Sequence, residues 1–242
     1  MLEKLYRKSE IWYAIVWIIA YVVFASLGDN LSAEIGVLKI ITLPILLVLS
    51  MVLFIFVVKN GLSVKYGLCK PQLPSNQMLY YIPLIVLLTA NLWYGVALNT
   101  SLLETVLYIL SMFCVGFLEE MIFRGFLFNA MTKNGVQSAI IVSSVTFGVG
   151  HIVNLINGSG ADLLSNLLQV IYAVAIGFAF MLIYYKTKSL IPCILTHCIF
   201  NALSIFSNEV VITPQRHFIS GMLIAIIAGG YALYIAWRVK ER

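Results

Sequence analysis

Long runs of apolar residues dominate this sequence, and short turn-forming segments separate them. A helix needs about 20 apolar residues to cross the hydrocarbon core of a bilayer, and eight runs approach that length. The runs are continuous rather than alternating, so they predict helices. We therefore expect an all-α, polytopic membrane protein with about eight transmembrane helices, forming a single integral membrane domain over residues 1–242. The predicted segments are Ile11–Leu27, Leu38–Val58, Met78–Ala97, Leu102–Met131, Gln137–Asn154, Leu163–Tyr185, Ser189–Ser207 and Phe218–Val239.

Composition excludes most other classes of protein. Hydrophobic residues make up 62% of the chain and charged residues 10%, whereas a soluble domain carries about 25% charged residues. A soluble enzyme, a disordered protein and a nucleic-acid binder are all excluded, and the expected surroundings are a lipid bilayer. Cys69, Cys114, Cys193 and Cys198 are expected to be buried free thiols, because three of them lie in predicted helices.

The basic residues predict the orientation of the chain. Cytoplasmic loops of membrane proteins are enriched in Lys and Arg. With a cytoplasmic N-terminus, twelve of the fifteen basic residues fall on the cytoplasmic side, which predicts that both termini are cytoplasmic. The compact loops favour a prokaryotic plasma membrane. The cytoplasmic set is Lys4, Arg7, Lys8, Lys59, Lys65, Lys70, Lys133, Lys186, Lys188, Arg238, Lys240 and Arg242, and the opposite set is Lys39 and Arg216.

Three charged residues, Glu119, Glu120 and Arg124, fall deep inside the fourth predicted helix, whereas Glu104 lies near its start. An ionised side chain in a bilayer is costly, so such residues usually face a bundle interior and serve a function. Glu120 and Arg124 are four residues apart, which predicts an ion pair. Glu119 has Phe123 at that spacing and so no local counter-charge. It is therefore the candidate general base, since a desolvated carboxylate holds its proton more tightly. The alternative is a buried ion pair that only fixes the bundle.

Two of the three histidines also lie in apolar helices, and each could instead be an ordinary core residue. Glu119 and His151 both lie sixteen residues from Gly135, so antiparallel helices would place them at one depth. Asn201 follows His197 by four residues and shares its helix face. These positions predict a site inside the bilayer, nearer the cytoplasmic side.

The motifs at these residues resemble those of the CPBP family, which contains the CAAX proteases and the bacteriocin-processing enzymes called Abi proteins. They are Glu119-Glu120-Met-Ile-Phe-Arg124, Phe147-Gly-Val-Gly-His151 and His197-Cys-Ile-Phe-Asn201. The resemblance covers a CAAX-protease-like core at about residues 102–207. It implies an intramembrane endopeptidase that acts on a peptide or a lipidated protein.

The resemblance also implies a role for each residue. Glu119 would be the general base for a water that His151 helps to hold, and His197 with Asn201 would stabilise the oxyanion. Glu120 and Arg124, with Phe147 beside them, would hold the site in shape.

Three alternatives remain open. In a metal-dependent version of the same peptidase, Glu119, His151 and His197 would bind zinc, although the residues favour no metal and no other cofactor. A non-catalytic immunity factor or scaffold would act by binding alone. Intramembrane carboxylates and histidines also occur in proton-coupled transporters. The sequence does not identify the substrate.

Overall fold

The computed structural model describes residues 2–156 and 162–239. Met1, residues 157–161 and the C-terminal Lys240, Glu241 and Arg242 lie outside the described residues. Over the described ranges the chain is helical, with one antiparallel bridge between Val96 and Ser207. The α-helices are α1 (Leu2–Lys8), α2 (Glu10–Ile35), α3 (Thr42–Lys59), α4 (Ile82–Leu88), α5 (Leu102–Glu119), α6 (Asn129–Met131), α7 (Val136–Gly150), α8 (Leu163–Thr187), α9 (Ile191–Leu203) and α10 (Pro214–Arg238).

Shorter helical segments of other pitch join these elements. A π-helix continues α5 directly. The remaining segments are 3₁₀ turns, one of which follows α7 and carries His151. The π-helix is Glu120–Phe128, and the 3₁₀ turns are Ser75–Tyr81, Ala90–Leu92, Thr132–Asn134, His151–Leu155, Ser204–Phe206 and Glu209–Val211.

Six helical segments among the described residues are long and apolar enough to cross a membrane, so the expectation of about eight is corrected. They support an integral membrane protein. The other two predicted segments, the third and the seventh, are not long helices. The six candidate spans are Glu10–Ile35, Thr42–Lys59, Leu102–Asn134, Val136–Leu155, Leu163–Thr187 and Pro214–Arg238.

The third predicted segment breaks at its start. Leu79, Tyr80 and Tyr81 all have positive φ angles, between 50° and 59°, a conformation that ends a right-handed helix. The hydroxyl of Tyr231 donates to the carbonyl of Met78 at 2.7 Å and helps to hold this break. The α4 helix that follows has only seven residues, or about 10 Å at 1.5 Å per residue. Apolar composition here reflects burial rather than helix length.

The seventh predicted segment forms a shorter apolar helix over Ile191–Phe206. Pro192 lies in its first turn, where proline is tolerated because the N–H would have no helical partner. The segment ends at Ser207, where the bridge to Val96 begins. A helix of this length sits inside the bundle, supported by its longer neighbours.

Contacts between elements define two ends of the bundle. At one end, here called the Glu10 end, Lys65 and Lys133 both approach the carboxylate of Glu10, at 2.9 and 3.7 Å. At the opposite end, here called the Lys39 end, Lys39 pairs with Asp29 at 2.7 Å.

Further contacts assign the remaining elements to these two ends. The end of α8 joins the loop after α3 at the Glu10 end, where Gln72 donates to the carbonyl of Thr187. At the Lys39 end, the start of α5 joins the loop before α3 through a bond from the Leu38 amide to Glu104. The segment after α9 pairs there with Ala97.

The basic side chains divide sharply between these ends. Among the described residues, ten lie at or near the Glu10 end and two at the Lys39 end. Arg124 is buried between the two ends. The predicted grouping of the basic residues on one side is therefore present in the fold. Lys240 and Arg242, which belong to the same predicted group, lie outside the described residues.

Glycines allow the helices around α5 to approach closely. A Cβ on Gly116 would lie 2.7 Å from Sγ of Cys198 and 2.8 Å from its backbone nitrogen. A Cβ on Gly177 would likewise lie 2.9 Å from the carbonyl oxygen of Ser144. These contacts pack α5 against α9, and α7 against α8, at the depth of the candidate site.

All four cysteines are free thiols. Cys114, Cys193 and Cys198 are buried as expected, whereas Cys69 is only partly buried. Cys69 lies in the loop after α3, outside the helices, and its thiol donates to the carbonyl of Lys188. The expectation that all four are buried is wrong for this residue.

Candidate active site

The Glu-Glu pair lies where α5 changes into the π-helix. Glu119 is the last residue of α5 and Glu120 the first of the π-helix. Both lie near the middle of the 33-residue helical segment Leu102–Asn134. All nine residues of the π-helix are buried. A π-helix is rare and often occurs at functional sites, and nothing in the sequence pattern predicted it.

Glu120 and Arg124 form the predicted ion pair. Nη1 of Arg124 lies 3.2 Å from Oε1 of Glu120, and both side chains are fully buried. The guanidinium also lies 3.9 Å above the ring of Phe147, close enough for a cation–π contact. Phe147 therefore contacts the pair directly, and the cost of burying the Arg124 charge is offset from two sides.

His197 on α9 joins both glutamates. Its Nδ1 lies 2.8 Å from Oε1 of Glu120, and its Nε2 lies 3.5 Å from Oε2 of Glu119. Glu120 accepts the Nδ1 proton, which fixes the orientation of the ring and leaves Nε2 to face Glu119. The sequence spacing did not predict this contact, because 77 positions separate His197 from Glu120.

The two carboxylate oxygens of Glu119 have different surroundings. Oε1 accepts a hydrogen bond of 2.6 Å from the hydroxyl of Tyr21 on α2. Oε2 is buried without a hydrogen-bond partner and faces Nε2 of His197. The expectation that Glu119 has no local counter-charge on its own helix holds, but tertiary contacts supply two partners. A buried carboxylate oxygen with no donor is poised to accept one.

His151 lies in the 3₁₀ turn after α7, so the fifth predicted helix ends one residue before it as an α-helix. Its Nδ1 is 3.1 Å from the carbonyl of Phe147, and its ring packs edge-on against that of Phe147 at 5.1 Å between centroids. The amide of Asn166 on α8 donates to the His151 carbonyl at 2.8 Å. These contacts fix the turn and leave Nε2 of His151 available for another partner.

A cavity of about 390 Å³ brings the predicted residues together. Glu119, His151, His197 and Asn201 all line it, and so does Phe147. Glu120 and Arg124 do not line it and lie behind its wall, in contact with His197 and Phe147. The placement separates the residues that face the cavity from those that support them.

Sequence reasoning missed Tyr21, Asn166 and Gln169. Tyr21 lies on α2, outside the segment covered by the family resemblance, and 98 positions separate it from Glu119. Its one available signal was a hydroxyl in the middle of an apolar run. Asn166 is buried and holds the His151 turn. Gln169 lines the cavity and accepts from the amide of Asn154 at 3.0 Å.

The residues do not fit a zinc ion as they are placed. A catalytic zinc site takes three protein ligands. Within residues 2–156 and 162–239, no three His, Cys, Asp or Glu side chains are grouped to hold a metal. The hydrogen bonds at Nδ1 of His197 to Glu120 and at Nδ1 of His151 to a backbone carbonyl leave Nε2 of each ring as the possible ligand atom. The grouping of the side chains, and not these bonds, is therefore what disfavours zinc. We derive no step through a metal.

Comparison with known proteins gives one match. No curated protein matches this chain. The family model described as type II CAAX prenyl endopeptidase Rce1-like matches residues 101–203. The matched segment begins at the N-cap of α5 and ends with α9, so it contains all three motifs. The match covers 103 of the 242 residues, and it confirms the resemblance of the motifs in this integral membrane protein to those of the CAAX prenyl endopeptidases.

Proposed function

We propose that this protein is an intramembrane endopeptidase in which Glu119 activates a water to hydrolyse a peptide bond. The substrate is a membrane-associated peptide or a lipidated protein, in keeping with the family match. One observation carries the proposal: Glu119 presents a buried, unpartnered carboxylate oxygen beside His197 at the wall of a cavity.

The first half of the reaction needs a base and a held water. Oε2 of Glu119 accepts a proton from water while the hydroxyl of Tyr21 holds Oε1. His151 orients the same water through Nε2, since its Nδ1 contacts the carbonyl of Phe147. The water oxygen attacks the carbonyl carbon of the scissile bond, and a tetrahedral intermediate with a negatively charged oxygen forms.

The second half needs donors for that oxyanion and a proton for the leaving group. Nε2 of His197 faces Glu119 at the cavity while Glu120 holds Nδ1, and a proton on Nε2 supplies one hydrogen bond to the oxyanion. The side-chain amide of Asn201 supplies the second hydrogen bond. Glu119 then returns its proton to the leaving nitrogen, and the C–N bond breaks. The products are a carboxylic acid and an amine, which together hold all the atoms of the peptide bond and the water, and Glu119 is again a carboxylate.

Glu120, Arg124 and Phe147 are positioning residues. Glu120 is shared between the guanidinium of Arg124 and the imidazole of His197. Phe147 packs against both the guanidinium and the His197 ring, at 3.9 and 5.7 Å. This arrangement limits rotation of the His197 ring without contact with a substrate.

Replacement of Glu119 by Gln tests the proposal. The purified protein in lipid vesicles is offered a panel of prenylated and unmodified peptides, and the rate of cleavage is measured. Glu119→Gln removes the base while keeping the shape, so we expect kcat to fall at least about 100-fold. Glu34→Gln, at an exposed position on α2, is the matched control and keeps the wild-type rate.

Undiminished cleavage by the Glu119→Gln variant would refute the proposed base. A second arm adds a divalent-metal chelator to the wild type. Full activity supports the metal-free route, and loss of activity that zinc restores replaces it with the metal-dependent version. If both Glu119→Gln and His151→Ala keep the biological effect in cells and the wild type cleaves nothing, the protein acts by binding alone.

A further inference from the structure

We infer that the catalytic cavity opens at the Lys39 end of the bundle, so that the substrate approaches from the extracytoplasmic side of the membrane. The inference rests on the proposed function and specifies where its substrate is found. Four observations carry it: the direction of the cavity, its polar rim, the seal beneath Glu119 and the distribution of basic residues.

From Glu119 the cavity extends mainly toward the Lys39 end, and on the other side Phe123, one turn beyond Glu119, lines it. On α2 the lining residues run from Tyr21 through Ala25 to Asp29, successive turns toward the Lys39 end. On α9 they run from His197 through Asn201, and then to Ser204 beyond its end. Because α2 and α9 both run from the Glu10 end to the Lys39 end, both walls lead the same way.

The other helices agree with that direction. On α5 the lining residues run from Glu119 back to Tyr108, toward the start of the helix at the Lys39 end. On α3 they are Thr42 and Leu46, in the first two turns. The α3 helix starts at the Lys39 end, so its contribution also lies there.

The rim at the Lys39 end is polar and has balanced charge. Asp29 accepts from Nζ of Lys39 and from the hydroxyl of Thr42, both at 2.7 Å. The side chains of Asn91 and Gln169 add neutral amides. Deeper walls are apolar and aromatic, including Phe123, Phe147 and Phe180. An extended peptide with apolar residues around the scissile bond fits this change from a polar rim to apolar walls, since burial of a charged side chain among aromatic rings is costly.

Beneath Glu119, toward the Glu10 end, packed aromatic side chains close the bundle. Phe126 of the π-helix packs edge-on against Tyr13 and Tyr66, with centroids 5.1 and 4.8 Å apart. Phe128 packs in the same way against Tyr184. All five side chains are buried. We call these five residues the inner seal, and it separates Glu119 from the surface at the Glu10 end.

The charges orient the two ends. Ten basic side chains of the described residues lie at the Glu10 end and two at the Lys39 end, and cytoplasmic loops carry the excess of Lys and Arg. The sealed end is therefore cytoplasmic and the open end extracytoplasmic. Water for the hydrolysis reaches Glu119 by the same path as the substrate.

Cysteine labelling in intact cells tests the inference without any cleavage assay. Three reporter proteins are treated with a small, charged, membrane-impermeant thiol reagent before and after permeabilisation. The first carries Ser26→Cys, which places a thiol in the cavity wall. The second carries Val210→Cys at an exposed position of the Lys39 end. Both have Cys69 replaced by Ser, and the third is the wild type, which reports Cys69 at the Glu10 end.

We expect Ser26→Cys and Val210→Cys to react in intact cells and Cys69 to react only after permeabilisation. Labelling of denatured protein verifies that each thiol is present. Reaction of the Ser26→Cys thiol only after permeabilisation, or reaction of Cys69 in intact cells, overturns the inference, as does a Ser26→Cys thiol that reacts in neither condition. None of these results depends on cleavage. If the cavity opens on the other side of the membrane, the proposed endopeptidase activity is still possible, and if the protein cleaves no peptide, the labelling result still holds.

Discussion

At the scale of single residues, Glu119 and Glu120 have separate tasks although one peptide bond joins them. Glu120 is fully buried and shared between Arg124 and His197. Among the described residues Oε2 of each glutamate lacks a hydrogen-bond partner, but only the side chain of Glu119 lines the cavity. The difference arises because adjacent residues of a helix point about 100° apart. One carboxylate is thereby neutralised and fixed, and the other is left for chemistry.

Tyr21→Phe tests how far catalysis depends on the orientation of Glu119. The change removes the 2.6 Å hydrogen bond to Oε1 and leaves the aromatic packing in place. A hydrogen bond to a charged group contributes about 1.5–3 kcal/mol, so we expect kcat to fall about tenfold or more, with KM little changed. Steady-state kinetics of peptide cleavage measures both constants.

Tyr13→Phe is the matched control for that experiment. Tyr13 is buried on the same helix but packs against Phe56 and Phe126, away from the cavity. The loss of the Tyr13 hydroxyl in this variant should leave kcat unchanged. Equal rates for Tyr21→Phe and the wild type would contradict a catalytic task for the contact with Glu119.

At the scale of elements, the distance between α5 and α9 determines the site. His197 lies one position before Cys198, whose backbone nitrogen would lie 2.8 Å from a Cβ on Gly116. Contacts below 3.0 Å to backbone atoms force the helices apart. The absence of a side chain at Gly116 therefore lets His197 reach both glutamates.

Gly116→Ala should separate α5 from α9 and lengthen the contacts from His197 to Glu119 and Glu120. We expect a large loss of kcat, about tenfold or more, together with about 1–3 kcal/mol of destabilisation from overpacking. Cleavage rate and thermal unfolding in detergent are the measurements. In Gly229→Ala, on α10, the added methyl meets no atom within 4 Å, so rate and stability should both be retained.

At the scale of the whole molecule, the bundle has two chemically different ends. The Glu10 end carries most of the basic side chains and the inner seal, and the Lys39 end carries the polar rim of the cavity. Helices α2 and α10 run in opposite directions, with Glu10 of α2 and Arg238 of α10 at the Glu10 end. The orientation of this axis in the membrane decides which compartment the site serves.

Reporter fusions test the predicted orientation. Green fluorescent protein fused after the C-terminus should fluoresce, because both termini are predicted to be cytoplasmic. Alkaline phosphatase, which is active only outside the cytoplasm, should be inactive at the C-terminus and active when inserted at Val210. The reverse pattern at both positions would show an inverted bundle.

The sequence predicted which residues line the site better than it predicted the contacts between them. Spacing within one helix was sufficient for the pair of Glu120 and Arg124, since partners four residues apart share a face. The contacts of His197 and Tyr21 with the glutamates join helices that are distant in sequence, and a single sequence carries no signal for such pairs. The predicted third segment failed because apolar residues report burial, and the reversed φ angles after Met78 left no trace in hydropathy. The roles of the site residues stay predictions until the variants are assayed.

The π-helix from Glu120 to Phe128 limits which insertions and deletions this part of the sequence can tolerate. Its hydrogen bonds span five residues instead of four, so this stretch holds more residues per turn than the α-helix before it. Loss of one residue here would change the register between the side chains of this stretch and the helices around it. Arg124 and the aromatic rings of the inner seal would then no longer meet their present partners. The segment should therefore tolerate substitutions of similar volume but no insertion or deletion.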